Sequence, residues 1–166
     1  MTAGPDPRTG ADGFTVRPLA YTDAVVRALE AELQQEYVER YDGADESPVD
    51  PAEFAPPGGV FVVGFADGEP VASGGFRRHT EDVAEIKRMY VMEDRRGAGY
   101  ARRLLADLES RAAAAGYRRI VLETGLRQPE AIALYESSGY RPIQGFGFYA
   151  DQALSRSFAK DLTFSG

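Results

Sequence analysis

Apolar and polar positions alternate along this chain in two rhythms, and the switches between them mark its elements. Phe14, Val16 and Pro18 fall on every second residue, the period of an extended strand. Val25, Val26, Leu29, Leu33, Tyr37 and Tyr41 then recur at helical spacing, and Thr22 or Asp23 can cap the helix they describe. Residues Gly43 to Gly59 hold Pro48, Pro51, Pro56 and Pro57. They predict a loop with at most one helical turn near Ala52 to Phe54, of a length often used as a functional lid. Val60 to Phe65 (VFVVGF) predicts a strand, Asp67-Gly68 a hairpin turn, and Pro70 to Phe76 the returning strand, with Gly74-Gly75 as a bulge or close approach. A second turn near Glu81-Asp82 leads into Glu85 to Val91 (EIKRMYV), which predicts a buried strand.

The stretch from Glu85 to Ala115 organises the rest. After its strand, Gly97 and Gly99 are incompatible with a helix interior, and Ala101, Leu104, Leu105, Leu108, Ala112 and Ala115 then resume helical spacing until Gly116. Strand, glycine turn and helix in that order aim free backbone N–H groups and the positive end of a helix dipole at one point, a place for an anion such as a phosphate. A glycine turn that only packs a helix on a sheet has the same composition. No Lys-Ser or Lys-Thr follows the second glycine, so a P-loop is excluded, and the third glycine of a dinucleotide-binding turn is absent.

Tyr117 to Glu123 (YRRIVLE) predicts the next strand, and a strand–helix–strand crossover makes it parallel to the Glu85 strand. Thr124 to Arg127 form a loop. Pro129 suits the first position of a helix that Gln128 caps and Gly139 stops. Tyr140 to Ile143 and Ser157 to Phe164 predict two final antiparallel strands around an aromatic, glycine-rich loop, Gln144 to Ala150. The expected fold is mixed α/β, with a central, mostly antiparallel sheet flanked by helices. Met1 to Gly13 are too small, polar and proline-broken to order themselves and read as a disordered tail, leaving residues 14–166 as a single domain.

Composition narrows the chemistry. The chain lacks cysteine, which excludes disulfides, a thiolate nucleophile and sulfur-ligated metal, and its single His79, read as a surface residue, argues against zinc; no metal is expected. With 19 basic against 26 acidic residues the formal charge is −7, so nucleic acid is not expected as a partner and a cationic acceptor is mildly favoured. Glu30 to Glu53 is especially acidic and reads as a solvated face, with an acidic rim for a positively charged amine as the sharper alternative. No apolar run suits a membrane span and no charged-then-apolar leader opens the chain, so the expected compartment is cytoplasmic.

Arg96-x-x-Gly99-x-Ala101 after EIKRMYV resembles the acyl-CoA-binding motif of the GCN5-related N-acetyltransferases, the GNAT family. Gln128 to Tyr140 (QPEAIALYESSGY) resembles the family's later Asn-x-x-Ala-x-x-Leu-Tyr helix, with Gln128 in place of the usual Asn. The similarity runs from about Phe14 to Leu162. It implies a GNAT-type acyl-CoA N-acyltransferase fold whose fourth and fifth strands, parallel, splay apart around acetyl-CoA as cosubstrate. The activity implied is transfer of the acetyl group to a primary amine of a small molecule or peptide, and the alternative is a non-catalytic acyl-CoA-binding regulatory module.

By that resemblance the pantetheine arm pairs with Met89, Tyr90 and Val91 as an added strand would, and the pyrophosphate rests on the amides of Arg96, Gly97, Ala98, Gly99, Tyr100 and Ala101. Gln128 contacts the cofactor. The Met89 N–H donates to the thioester oxygen, and Tyr135 protonates the departing sulfur, although its spacing also suits a core aromatic. Glu85 holds the family position of the base, against an ion pair with Arg77 or Arg78, and Glu123 is its rival. Without cysteine, direct attack in a ternary complex is favoured over an acetyl-enzyme. Arg77, Arg78, Arg102 and Arg103 are candidates for the adenosine phosphate. Phe146, Phe148, Tyr149, Tyr37 and Tyr41 are candidates for the acceptor pocket. The acceptor's identity stays open, and a homodimer is compatible with the chain.

Overall fold

The computed structural model describes residues 13–162, so residues 1–12 of the expected tail and the last two of the expected final strand, Thr163 and Phe164, lie outside the described residues. Seven strands form one sheet: β1 (Phe14–Pro18), β2 (Val60–Ala66), β3 (Glu69–Thr80), β4 (Val83–Val91), β5 (Arg119–Gly125), β6 (Arg141–Ile143) and β7 (Ser155–Asp161). Their spatial order is β1-β2-β3-β4-β5-β7-β6, antiparallel throughout except for the parallel pair β4 and β5. The helices are α1 (Ala24–Tyr41), α2 (Tyr100–Ala114) and α3 (Pro129–Ser137), with short 3-10 turns at Pro51–Phe54 and Glu93–Arg95.

The sheet has an apolar layer on each face because its central strands alternate apolar residues to both. Val60, Val62 and Ala66 of β2 join Leu104, Leu105 and Leu108 of α2 and Tyr135 of α3 on one side. Phe61 and Val63 join Val26, Leu29 and Leu33 of α1, with Phe54 from the 3-10 turn, on the other. The three leucines of α2 are 0%, 1% and 0% exposed, so each contributes roughly 1.5–3 kcal/mol of transfer free energy and they fix the helix that follows the glycine turn.

Local chemistry sets the element ends close to where the pattern places them. Asp23 caps α1 by accepting from the Val25 N–H at 2.8 Å, and Pro129 starts α3. The returning strand β3 and the strand β4 are each longer than the apolar pattern alone indicates, because Arg77, Arg78 and Thr80 continue to pair with Glu85, Ala84 and Val83. The final strands pair antiparallel as expected, with β7 lying between β5 and β6.

Candidate active site

Two features of β4 open the centre of the sheet. Its parallel pairing with β5 runs from Val83↔Arg119 to Ile86↔Leu122 and stops, so from Lys87 onward that edge of β4 has no strand partner. On its other edge the register with β3 jumps from Gly75↔Lys87 to Ser73↔Tyr90, so that Gly74 alone faces Arg88 and Met89. This is a β-bulge, and Arg88 takes φ +62° within it. A Cβ on Gly74 would sit 2.6 Å from the Met89 sulfur, which is why glycine stands opposite the bulge. The extra residue turns the Lys87 and Arg88 side chains toward the α1 face together, where strict alternation would have sent them apart.

A cavity of about 620 Å³ runs along the free edge of β4. Met89, Tyr90 and Val91 form one wall, Gly97, Gly99, Tyr100 and Ala101 close one end, and Gln128, Leu134 and Tyr135 of the α3 region form the opposite wall. Gly97 and Gly99 have φ +90° and +82°, and a Cβ at either would meet nothing within 4 Å. Gly99 is the N-cap of α2 without a side-chain cap, so the first amides of the helix face the opening. Arg96 is held there by Glu36 at 2.8 Å and by the Val91 carbonyl, to which its Nε donates at 3.0 Å. Arg102 also lines this cavity and donates to the hydroxyls of Ser137 and Ser138. Arg103 instead stacks on Phe14.

Tyr135 is 5% exposed and packs edge-on to Tyr140 at 5.6 Å, so it is both a core aromatic and a cavity wall. Burial pushes its phenol well above the ordinary value, which keeps the proton on oxygen. Gln128 accepts from the Tyr41 hydroxyl at 3.2 Å, tying the end of α1 to the start of α3; no side-chain capping bond to the helix is formed.

A second cavity of about 400 Å³ adjoins the first, and Tyr37, Ile86, Lys87, Arg88, Glu123, Thr124 and Gln128 line both. Its remaining walls include Tyr41, Asp45, Tyr149 and Leu154. The charges here are tightly organised. Arg88 pairs with Glu30 through Nη1, and its Nε lies 3.2 Å from Asp45 Oδ2, off the N–H axis and so without a hydrogen bond. Asp45 also accepts from Ser47 and from the Tyr149 hydroxyl, both at 2.6 Å. Burial pushes the Asp45 carboxyl up, but Arg88 and these hydrogen bonds outweigh it and hold the group below its ordinary range. Glu30 is therefore a buried counter-ion, not part of a solvated acidic face.

Glu123 stands at the first level of β5 without a β4 partner, while its other edge still pairs with Ser157 of β7. Its Oε2 accepts from the Tyr149 N–H at 3.0 Å, while its Oε1 is buried with no partner among the described residues. Burial raises its carboxyl above the ordinary glutamate value of 4.5, with the Tyr149 N–H and Lys87 acting against that shift. Glu85 lines neither cavity, although its charge acts on both Glu123 and Lys87: its Oε1 accepts from Arg77 Nε at 3.0 Å while Arg77 also donates to the Pro48 carbonyl at 2.7 Å.

The structure thus gathers Met89, Tyr90, Val91, Gly97, Gly99, Tyr100, Ala101, Gln128 and Tyr135 around one cavity, with Arg96 at its rim. Tyr37, Tyr41 and Tyr149 line the second cavity, but Phe146 packs on exposed His79 at 5.0 Å and Phe148 is exposed, so neither lines it. Lys87 and Arg88 escaped the sequence reading. Their signal was two adjacent cations inside an otherwise apolar strand, a pattern that needs either a counter-ion or a ligand.

Residues 26–140 match the family model described as Acetyltransferase (GNAT) family. The IAA acetyltransferase of Azospirillum brasilense is 36% identical over 141 residues, which cover 84% of this chain and 92% of that protein. Several other curated relatives are matched over only about half their length. A crystal structure from Klebsiella pneumoniae, described as an acyl-CoA N-acyltransferase, superimposes with TM-score 0.77 at 32% identity over 90% of this chain and 98% of that one. A GNAT acetyltransferase from Elizabethkingia anophelis solved with acetyl-CoA bound shares the fold, with TM-score 0.68 at 17% identity over 91% and 99% of the two chains.

Proposed function

Because the chain belongs to the GNAT acetyltransferase family, we propose that it moves the acetyl group of acetyl-CoA onto a primary amine, which attacks the thioester directly in a ternary complex. The observation that carries this reading is the splay itself. Two cavities of different character meet through the gap that opens after Ile86↔Leu122, one ending at bare helix amides and the other at a carboxylate.

In the first cavity the pantetheine arm pairs with the free edge of β4 at Met89 to Val91, and the diphosphate takes the amides from Arg96 to Ala101. Gln128 borders the arm from the α3 side. The thioester carbonyl then meets the Met89 N–H, and a single donor of that kind contributes on the order of 3 kcal/mol as negative charge develops on oxygen. Glu123 takes the proton from the incoming ammonium. Its raised carboxyl is better matched to an amine near neutral pH than an ordinary glutamate is. The neutral nitrogen attacks the acyl carbon, the C–S bond breaks, Tyr135 protonates the coenzyme A sulfur, and the second proton that the nitrogen sheds on becoming an amide restores the Tyr135 phenol. We assign Glu85 to the Arg77 ion pair and the proton-accepting role to Glu123.

The test is acetyl-CoA titration followed by a screen of amines for free thiol release and acetylated product. Saturable release with an amine, and its loss in Glu123→Gln with unchanged acetyl-CoA affinity, supports the reading. Acetyl-CoA binding without release for any amine points to the regulatory-module alternative.

A further inference from the structure

Most buried ionic side chains near the splay are committed to one another. Arg88 is committed to Glu30 and Asp45, and Glu85 to Arg77. Lys87 is 8% exposed, yet no hydrogen bond or ion pair holds its ammonium among the described residues. Across the gap, Glu123 Oε1 is buried and likewise without a partner. Ile86 and Leu122 pair directly and both point into the α2 side of the core, so Lys87 and Glu123, one residue further along each strand, project together toward the α1 side. They line the same cavity and attract one another, but no ion pair within 4.0 Å joins them. The Lys87 ammonium reaches the cavity without a hydrogen bond or ion pair, drawn only at longer range by Asp45 and Glu85, and one oxygen of the Glu123 carboxylate has no partner, so both are undercompensated until groups of opposite charge lie between them.

Resting on the acetyl-transfer reading, we propose that the acceptor is a free α-amino acid, whose ammonium docks on the Glu123 carboxylate and whose carboxylate docks on Lys87. A zwitterion with its charges about two bonds apart compensates both orphans at once, while a plain amine leaves Lys87 bare and a peptide N-terminus has no carboxylate beside its amine. Tyr37, Tyr41 and Leu154 add apolar and aromatic surface to a cavity that Asp45, Gln128 and Gln152 also line, which leaves room for an apolar or aromatic side chain beside the two charges. The reaction balances as amino acid plus acetyl-CoA to N-acetyl amino acid plus coenzyme A, with C–N formed, C–S broken, and one ammonium proton released to solvent through Glu123. The inference refines the expectation drawn from net charge: the acceptor's cation still meets a carboxylate, Glu123, but a cation, Lys87, stands in the same cavity for an acceptor carboxylate.

The experiment compares matched acceptors at saturating acetyl-CoA: L-leucine against isopentylamine, and L-phenylalanine against 2-phenylethylamine. The wild-type protein should favour the amino acid of each pair by about 100-fold in kcat/KM, the scale of a charge-assisted contact. Lys87→Met should erase that preference, raising KM for the amino acid by far more than for the plain amine of the pair, and Lys87→Arg should restore part of it. Equal or better use of the decarboxylated amines by wild type, or a preference that survives Lys87→Met, overturns the proposal. If no amine is turned over, the acetyl-transfer reading falls, and thermal shift in the presence of coenzyme A decides the inference separately. Stabilisation by the amino acids, absent with the amines and in Lys87→Met, upholds the zwitterion site; no stabilisation overturns it.

Discussion

Gly147 offers a way to disturb the proposed base without touching it. A Cβ at this position would lie 2.2 Å from Glu123 Oε1 and 2.6 Å from its Cδ, against the 3.0 Å below which such contacts are essentially never seen. The backbone of Gly147 is outside the left-handed region, so alanine is accommodated there and the clash falls on the flexible end of Glu123. The carboxylate must retreat by about 1 Å, and displacement of a reacting group on that scale lowers turnover by about 10²-fold. The stability change is confined to the hydrogen bond from the Tyr149 N–H, about 1–3 kcal/mol for a charged acceptor. Gly147→Ala should therefore keep its acetyl-CoA affinity by calorimetry, lose roughly 2–12 °C in Tm, and drop in kcat. Combined with Glu123→Gln it should add nothing to the loss. Full activity in Gly147→Ala alongside an inactive Glu123→Gln would mean that the loop yields and the carboxylate stays; full activity in both would refute Glu123 as proton acceptor.

Other outcomes follow from the same geometry. Tyr135→Phe keeps the ring between Tyr140 and Phe158 and removes only the proton donor, so kcat should fall by about 10²-fold or more while acetyl-CoA affinity and Tm hold, read by stopped-time thiol assays and calorimetry. Gly99→Glu adds a carboxylate where the diphosphate docks and forces a side chain to φ +82°; acetyl-CoA binding should disappear, and an unaffected variant would show the phosphate site to be elsewhere. Arg88→Met leaves Glu30 and Asp45 as uncompensated buried carboxylates and should cost about 3–5 kcal/mol in urea unfolding. Glu123 has a raised folded-state pKa, so its charge opposes folding above that value and is relieved as pH falls. Glu123→Gln should accordingly be more stable than wild type near neutral pH, with the difference vanishing in acid, while the acidic limb of wild-type kcat lies above 4.5.

Much of the frame was legible in the residues because it depends on near neighbours in the chain. The helical stripe from Val26 to Leu33, the cap at Asp23, the Asp67-Gly68 hairpin and the turn at Gly97 and Gly99 are each decided within a few positions, and each occurs where the pattern puts it. Element lengths were less legible. The polar end of β3 carries no apolar rhythm, and it is strand only because β4 offers it hydrogen bonds.

The linear order of residues by itself determined which segments become strand, glycine turn and helix, and hence that a β–turn–α unit would present bare amides to an anion. Only the tertiary structure decided which charges remain unspent. Glu30 lies 58 positions from Arg88 and Tyr149 26 from Glu123, and whether a carboxylate serves as counter-ion, cap or proton acceptor depends on partners brought together by the closing of the sheet. Local rules reach a few residues along the chain, whereas the desolvation and Coulomb energies that set a side chain's protonation are sums over whatever the fold packs around it.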